Sequence, residues 1–203
     1  MPVLYLHGFR SSPASFKARL LGDAMAARGL ASRFQAPQLP ASPRAAAALA
    51  LELASAASVD AREPLTVIGS SLGGYYATWL AERLGCRAVL LNPAVHAARD
   101  LATQVGPQTA YHDPAQRFEF EPAFIGELAE LQVEPITRPE RYWLICATGD
   151  EVLDWREMAA HFSGCRQNVI EGSDHGLSQF SDWVAPVLDF CELEAPDQGT
   201  LVP

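Results

Sequence analysis

Leu65-Thr66-Val67-Ile68-Gly69-Ser70-Ser71-Leu72-Gly73-Gly74-Tyr75-Tyr76-Ala77 is the stretch on which the fold turns. Leu65 to Ile68 is a short unalternating run, which suits a strand buried on both faces of a helix-covered parallel sheet. Helix-compatible residues follow the glycines at once. Gly69 and Gly73 stand two places before and two after Ser71, the spacing of a nucleophile elbow, where a tight strand-to-helix bend demands small residues. The bend would lift the Ser71 hydroxyl to the head of a helix, where backbone N–H groups and the helix dipole favour developing negative charge. Five residues of this kind are common by chance, so the position between strand and helix carries the weight. The plainer alternatives are a tightly packed turn or a phosphate loop. No Lys-Ser or Lys-Thr follows the glycines, and the dinucleotide spacing G-x-G-x-x-G is absent. Ser70 lacks the two-sided glycine spacing.

Outward from the elbow, similar runs recur at Val3 to Leu6, Ala88 to Leu91, Tyr142 to Ala147 and Gln167 to Ile170, with a weaker candidate at Ala31 to Gln35. Helical segments separate them. Ser12-Pro13 opens one that closes before Gly29, with Phe16, Leu20, Ala24 and Met25 as its apolar stripe. Others span Pro43 to Ala57, the residues after Ser71 to Leu84, Trp155 to Phe162 and Phe180 to Cys191. This alternation predicts an α/β fold of about six mainly parallel strands with right-handed crossovers and helices on both faces. Chemistry is then expected in loops beyond the carboxyl ends of the strands.

Residues 92–141 break the rhythm with six prolines. Two readings stand: a short cap or lid, or a surface excursion with a short helix around Phe124 to Leu131. The expected organisation is one domain over 1–191 and a flexible tail over 192–203. With 203 residues, 49% of them hydrophobic, the chain can bury a core of its own. A net charge of -9 without a basic run argues against nucleic acid and anionic membrane surfaces as partners. Cys86, Cys146, Cys165 and Cys191 show neither disulfide-framework nor zinc spacing and read as free thiols. No secretory signal or membrane-spanning run is evident, which leads us to expect a cytoplasmic protein without membrane insertion. Neither a metal cluster nor a cofactor loop stands out, and composition is silent on oligomeric state.

A serine hydroxyl needs a general base, normally a histidine supported by a carboxylate. Of five histidines, His7 comes too early for the Ser, Asp, His order of this architecture. His96 and His112 fall in the irregular stretch, and His161 lies within a helix. His175 remains, in the loop after Ile170. The acid should follow the preceding strand, where Asp150 is the natural choice and Asp154, which reads as a helix N-cap, is the alternative. Asp174 reads as a loop or capping residue. Backbone N–H groups of Phe9 and Leu72 are the expected oxyanion donors, with His7 structural in its own loop. Phe9, Arg10 and Tyr75 are candidates for contact with substrate. Arg10 is either solvated or biases the mouth toward acidic substrates. Trp79 reads as core.

LYLHGFRSSP (4–13), VIGSSLGGYYATWL (67–80), NPAV (92–95), TGDEVLD (148–154) and GCRQNVIEGSDH (164–175) together resemble the YqiA/YcfP-type small esterases of the α/β-hydrolase superfamily. The resemblance runs over almost the whole chain. It implies a compact hydrolase with a six-stranded sheet, acting on short to medium acyl esters or acyl-CoA thioesters. It also implies Ser71, Asp150 and His175 as the catalytic set, and no cofactor. Arg10 and Gly176 depart from the family pattern, where Asn and Ala are expected. The competing account is a noncatalytic binding protein on a hydrolase scaffold.

Overall fold

Successive side chains along each strand enter two different cores, which is why the sequence shows apolar runs and no polar alternation. The computed structural model describes residues 2–57 and 65–191. Among these residues lie β1 (Val3–Leu6), β2 (Phe34–Gln35), β3 (Thr66–Ser70), β4 (Arg87–Leu91), β5 (Gly106–Thr109), β6 (Arg117–Phe120), β7 (Tyr142–Ala147) and β8 (Arg166–Ile170). The helices are α1 (Phe16–Ala27), α2 (Pro43–Ala57), α3 (Leu72–Leu84), α4 (Ala97–Leu101), α5 (Ala123–Glu130), α6 (Trp155–His161) and α7 (Val184–Phe190). Six strands form a parallel sheet in the order β2-β1-β3-β4-β7-β8, and β5 pairs antiparallel with β6. Val3 and Tyr5 of β1, with Trp143 and Ile145 of β7, pack into the layer of α1 and α7. Leu4, Leu6, Tyr142 and Leu144 pack into the layer of α2, α3 and α6.

The site follows from this winding. β1 and β3 are neighbours, with Leu6 opposite Gly69, yet the chain leaves β1 for α1 on one face and β3 for α3 on the other. A crevice opens where such connections diverge.

Several elements differ from the sequence reading. The first helix begins at Phe16, because Ser12 Oγ accepts from Ala14 N and Ser12 O from Ser15 N, which closes a turn around Pro13. Ala31–Arg33 is one 3-10 turn, leaving only Phe34 and Gln35 to pair with β1. The last helical segment starts as a 3-10 turn, Phe180–Trp183, before α7. Pro186 then falls in the first turn of α7, where a missing N–H breaks no intrahelical bond. Residues 92–141 hold α4, the β5–β6 hairpin and α5, the hairpin in a stretch where the sequence predicts no strand. α5 packs on both α2 and α4. The expected tail, 192–203, lies outside the described residues. None of the described helices is long and apolar enough to cross a membrane.

Candidate active site

Ser71 caps α3 with φ +55° and ψ −122°, a conformation that costs an L residue roughly 1–3 kcal/mol and persists only when its surroundings hold it. They do. Ser71 N donates to Leu91 O at 3.0 Å, and Ser71 O accepts from Gly74 N at 2.9 Å and Ala94 N at 3.0 Å. The flanking glycines have a steric cause. A Cβ on Gly73 would stand 1.9 Å from Leu6 O, and one on Gly69 would stand 2.2 Å from Gly73 O. The start of α3 therefore touches the end of β1 backbone to backbone.

The loops after β7 and β8 bring two further side chains to Ser71. His175 Nε2 lies 3.0 Å from Ser71 Oγ, and His175 Nδ1 lies 2.8 Å from Asp150 Oδ2. The Asp150 side chain is fully buried, and that of His175 is 21% exposed. The other carboxylate oxygen, Asp150 Oδ1, accepts from Val152 N and Leu153 N, each at 2.8 Å. This fixes the carboxylate plane. With Asp150 accepting, the ring carries its proton on Nδ1 and offers the Nε2 lone pair to the serine. Asp154 instead caps α6, accepting from Arg156 N at 2.9 Å. Asp174 accepts from Ser178 N and Ser178 Oγ, and these bonds hold its carboxyl below its ordinary value.

Gly8 lies against the serine, where a Cβ would stand 3.1 Å from that of Ser71. Among the described residues neither Phe9 N nor Leu72 N donates a hydrogen bond within the chain. Ser71 and His175 line a cavity of about 410 Å³, whose apolar wall includes Phe9, Leu72, Ala94, Leu101 and Leu153. Residues 92–141 supply Asp100, Leu101, Gln104 and Tyr111 to it. Tyr75 corrects the sequence reading: its ring is buried and its hydroxyl donates to Leu128 O at 2.6 Å, away from this cavity. Arg10 lines a neighbouring cavity instead, its Nε donating to Thr109 O at 2.7 Å and its guanidinium resting 4.3 Å from the Tyr111 ring centre.

His7 is held between Gly8 O, 2.9 Å from Nδ1, and Leu39 N, which donates to Nε2 at 3.0 Å. Burial lowers its pKa and favours the neutral ring that this pair of bonds requires. Among the described residues no group of three or more His, Cys, Asp or Glu is arranged to hold a metal ion.

Asn92 stands just after the end of β4, outside the set of residues that the sequence singles out for chemistry. It is completely buried at φ +42°, a conformation Asn tolerates better than most residues. Its Oδ1 accepts from Ala147 N at 2.9 Å, and its Nδ2 donates to Asp174 O at 3.0 Å and His175 O at 3.1 Å. One side chain thus ties the end of β7 to the His175 loop. Glu151 adds a second tie, accepting from His175 N at 3.0 Å. Asn92→Ala leaves a buried N–H and two partly buried carbonyls without these partners. We expect a loss of about 2–4 kcal/mol, read as a lower melting temperature by calorimetry. Unchanged melting would mean that water replaces the amide at no cost.

A family model described as Uncharacterised protein family (UPF0227) matches residues 2–192. Among solved structures, the chain is similar to a protein of Agrobacterium vitis S4 with a TM-score of 0.72 at 16% identity, covering 94% of this chain and 87% of that one. It is similar to a structure reported under LipS and LipT, two metagenome-derived lipolytic enzymes, with a TM-score of 0.70 at 18% identity, covering 94% and 93%. A third, alpha/beta hydrolase domain-containing protein 10 from mouse, gives 0.65 at 17% identity, covering 93% and 89%. Identities this low speak to fold alone, and the fold is that of the α/β-hydrolases.

Proposed function

The chain belongs to the UPF0227 family, that of the YqiA/YcfP-type proteins, and from that premise we propose that it is a serine esterase working through Ser71, His175 and Asp150. The observation that carries the reading is the relay of 3.0 Å and 2.8 Å from Ser71 through His175 to Asp150, at the wall of the 410 Å³ cavity. His175 Nε2 takes the Ser71 proton as Oγ attacks the ester carbonyl. Asp150 holds Nδ1–H and stabilises the imidazolium. The N–H groups of Phe9 and Leu72 receive the oxyanion, each contributing about 2.7–4 kcal/mol to the transition state. His175 then returns the proton to the leaving alcohol or thiol, and water releases the acid by the same steps in reverse.

The substrates are short to medium acyl esters or acyl thioesters, an assignment supported by the apolar wall and size of the cavity. That proteins of this fold include enzymes described as lipolytic agrees with it. Residues 92–141 act as the cap over the acyl group. No cofactor takes part in these steps.

A fluorophosphonate probe and a chain-length series of p-nitrophenyl and CoA acyl esters test the proposal together. The expected result is covalent labelling at Ser71 and an optimum in chain length. Neither labelling nor turnover with any member of the series would favour the noncatalytic binding account.

A further inference from the structure

Lys17 is the single lysine of the chain, in which the fourteen other residues of the Lys and Arg count are arginine. It stands in the first turn of α1, and only 8% of it is exposed. Its Nζ donates to Gly176 O at 2.5 Å. Among the described residues no carboxylate lies within ion-pair distance of it. Asp174 and Asp150, in the loops after β8 and β7, are the carboxylates whose field reaches it. Tyr5 of β1 supplies no countercharge, because burial pushes its phenol up to about 12. A buried ammonium whose one partner is a neutral carbonyl is costly. Its place at the positive end of a helix adds to that cost.

The surroundings point to what would offset it. Lys17 and Gly176 line the cavity that holds Ser71 and His175, and with them come Tyr5, Ser11, Ser15 and Ser70. Ser15 Oγ is buried near the Tyr5 hydroxyl without a hydrogen bond of normal geometry. This polar end therefore holds a compact cation with two N–H donors to spare beside the Tyr5 and Ser15 hydroxyls. Beyond this end and the Ser71–His175 pair, the lining is apolar except for Asp100, Gln104 and Tyr111, supplied by residues 92–141. We propose that this polar end is a subsite for a carboxylate carried by the ester substrate, with the Lys17 ammonium as its counter-ion. The inference rests on the serine esterase reading and narrows its substrate class to anionic esters. The carboxylate can belong to the acyl chain or to the leaving group, and the choice of probes separates the two.

Mono-p-nitrophenyl adipate compared with p-nitrophenyl hexanoate tests the acyl side. 4-(Hexanoyloxy)benzoate compared with phenyl hexanoate tests the leaving-group side. Lys17→Met is expected to lower the anionic-to-neutral ratio of kcat/KM at least tenfold for one pair, and an unchanged ratio for both pairs overturns the subsite. A ratio cancels any loss the two esters share, such as a displaced His175 loop. The wild type supplies a test that survives a misfolded variant. Burial lowers the Lys17 pKa to about 8, so the cation is present below that pH and lost above it. The anionic-to-neutral ratio for the preferred pair should fall as pH rises through 8, whereas a flat ratio between pH 6.5 and 9.5 contradicts the proposal. Calorimetric binding of monomethyl against dimethyl adipate, and of methyl 4-carboxyphenyl against methyl phenyl adipate, to Ser71→Ala protein keeps the subsite testable without turnover. Preference for the acid in either pair supports it and equal binding in both rejects it. Wild-type hydrolysis of the neutral esters tests the esterase reading separately.

Discussion

Ser71→Ala is expected to lower p-nitrophenyl ester turnover by about four orders of magnitude or more while the protein stays folded. The size follows from the role: with no oxygen to form the acyl-enzyme, only oxyanion stabilisation and binding remain, typically about 10³- to 10⁴-fold over water. The fold should tolerate the change because alanine keeps the Cβ and meets the same positive φ that serine already adopts. The bonds that fix the bend run through the Ser71 N–H and carbonyl, whereas its hydroxyl bonds His175 Nε2. Circular dichroism and thermal melting beside the kinetics separate lost chemistry from lost structure. A folded variant that keeps more than a tenth of wild-type kcat would place the nucleophile elsewhere.

Much of the sheet could be read from the sequence because burial on both faces leaves a local mark. The runs at Val3, Leu65, Ala88, Tyr142 and Gln167 became β1, β3, β4, β7 and β8 with boundaries within a residue, except that β3 runs two residues further, to Ser70. Where packing contributes less, the sequence says less. β2 is two residues long, and β5 and β6 are partly exposed strands containing Pro107 and Arg117, so no buried run announces them. The residues around Ser71 were legible for a related reason: close backbone approach at Gly69 and Gly73 restricts residue type at fixed spacing. Asn92 and Lys17 were not. Their partners are backbone groups some 55 to 159 positions away, and a backbone group leaves no trace in residue identity. Tyr75 misled because a tyrosine next to an elbow looks available to substrate, whereas its hydroxyl is taken by α5.

The choice between Asp150 and Asp154 can be made by an isosteric change at each. Asp150→Asn should reduce kcat by about 10³- to 10⁴-fold, the scale on which a misplaced imidazole proton acts. The reasoning starts from the two N–H donors, Val152 and Leu153, that converge on Asp150 Oδ1. An asparagine must turn its carbonyl oxygen toward them and its amide N–H₂ toward His175 Nδ1. That nitrogen then has to accept, which moves the ring proton to Nε2, where it faces Ser71 and blocks proton transfer. The geometry survives while the chemistry fails, so KM should change far less than kcat. Asp154→Asn has no such consequence, since asparagine caps a helix about as well as aspartate and Arg156 N keeps its acceptor. Its kcat should stay within about twofold of wild type by the same arithmetic that equates tenfold with 1.4 kcal/mol. If the larger loss follows Asp154→Asn, the acid that serves His175 in turnover is Asp154, and the observed Asp150 contact belongs to the resting protein alone.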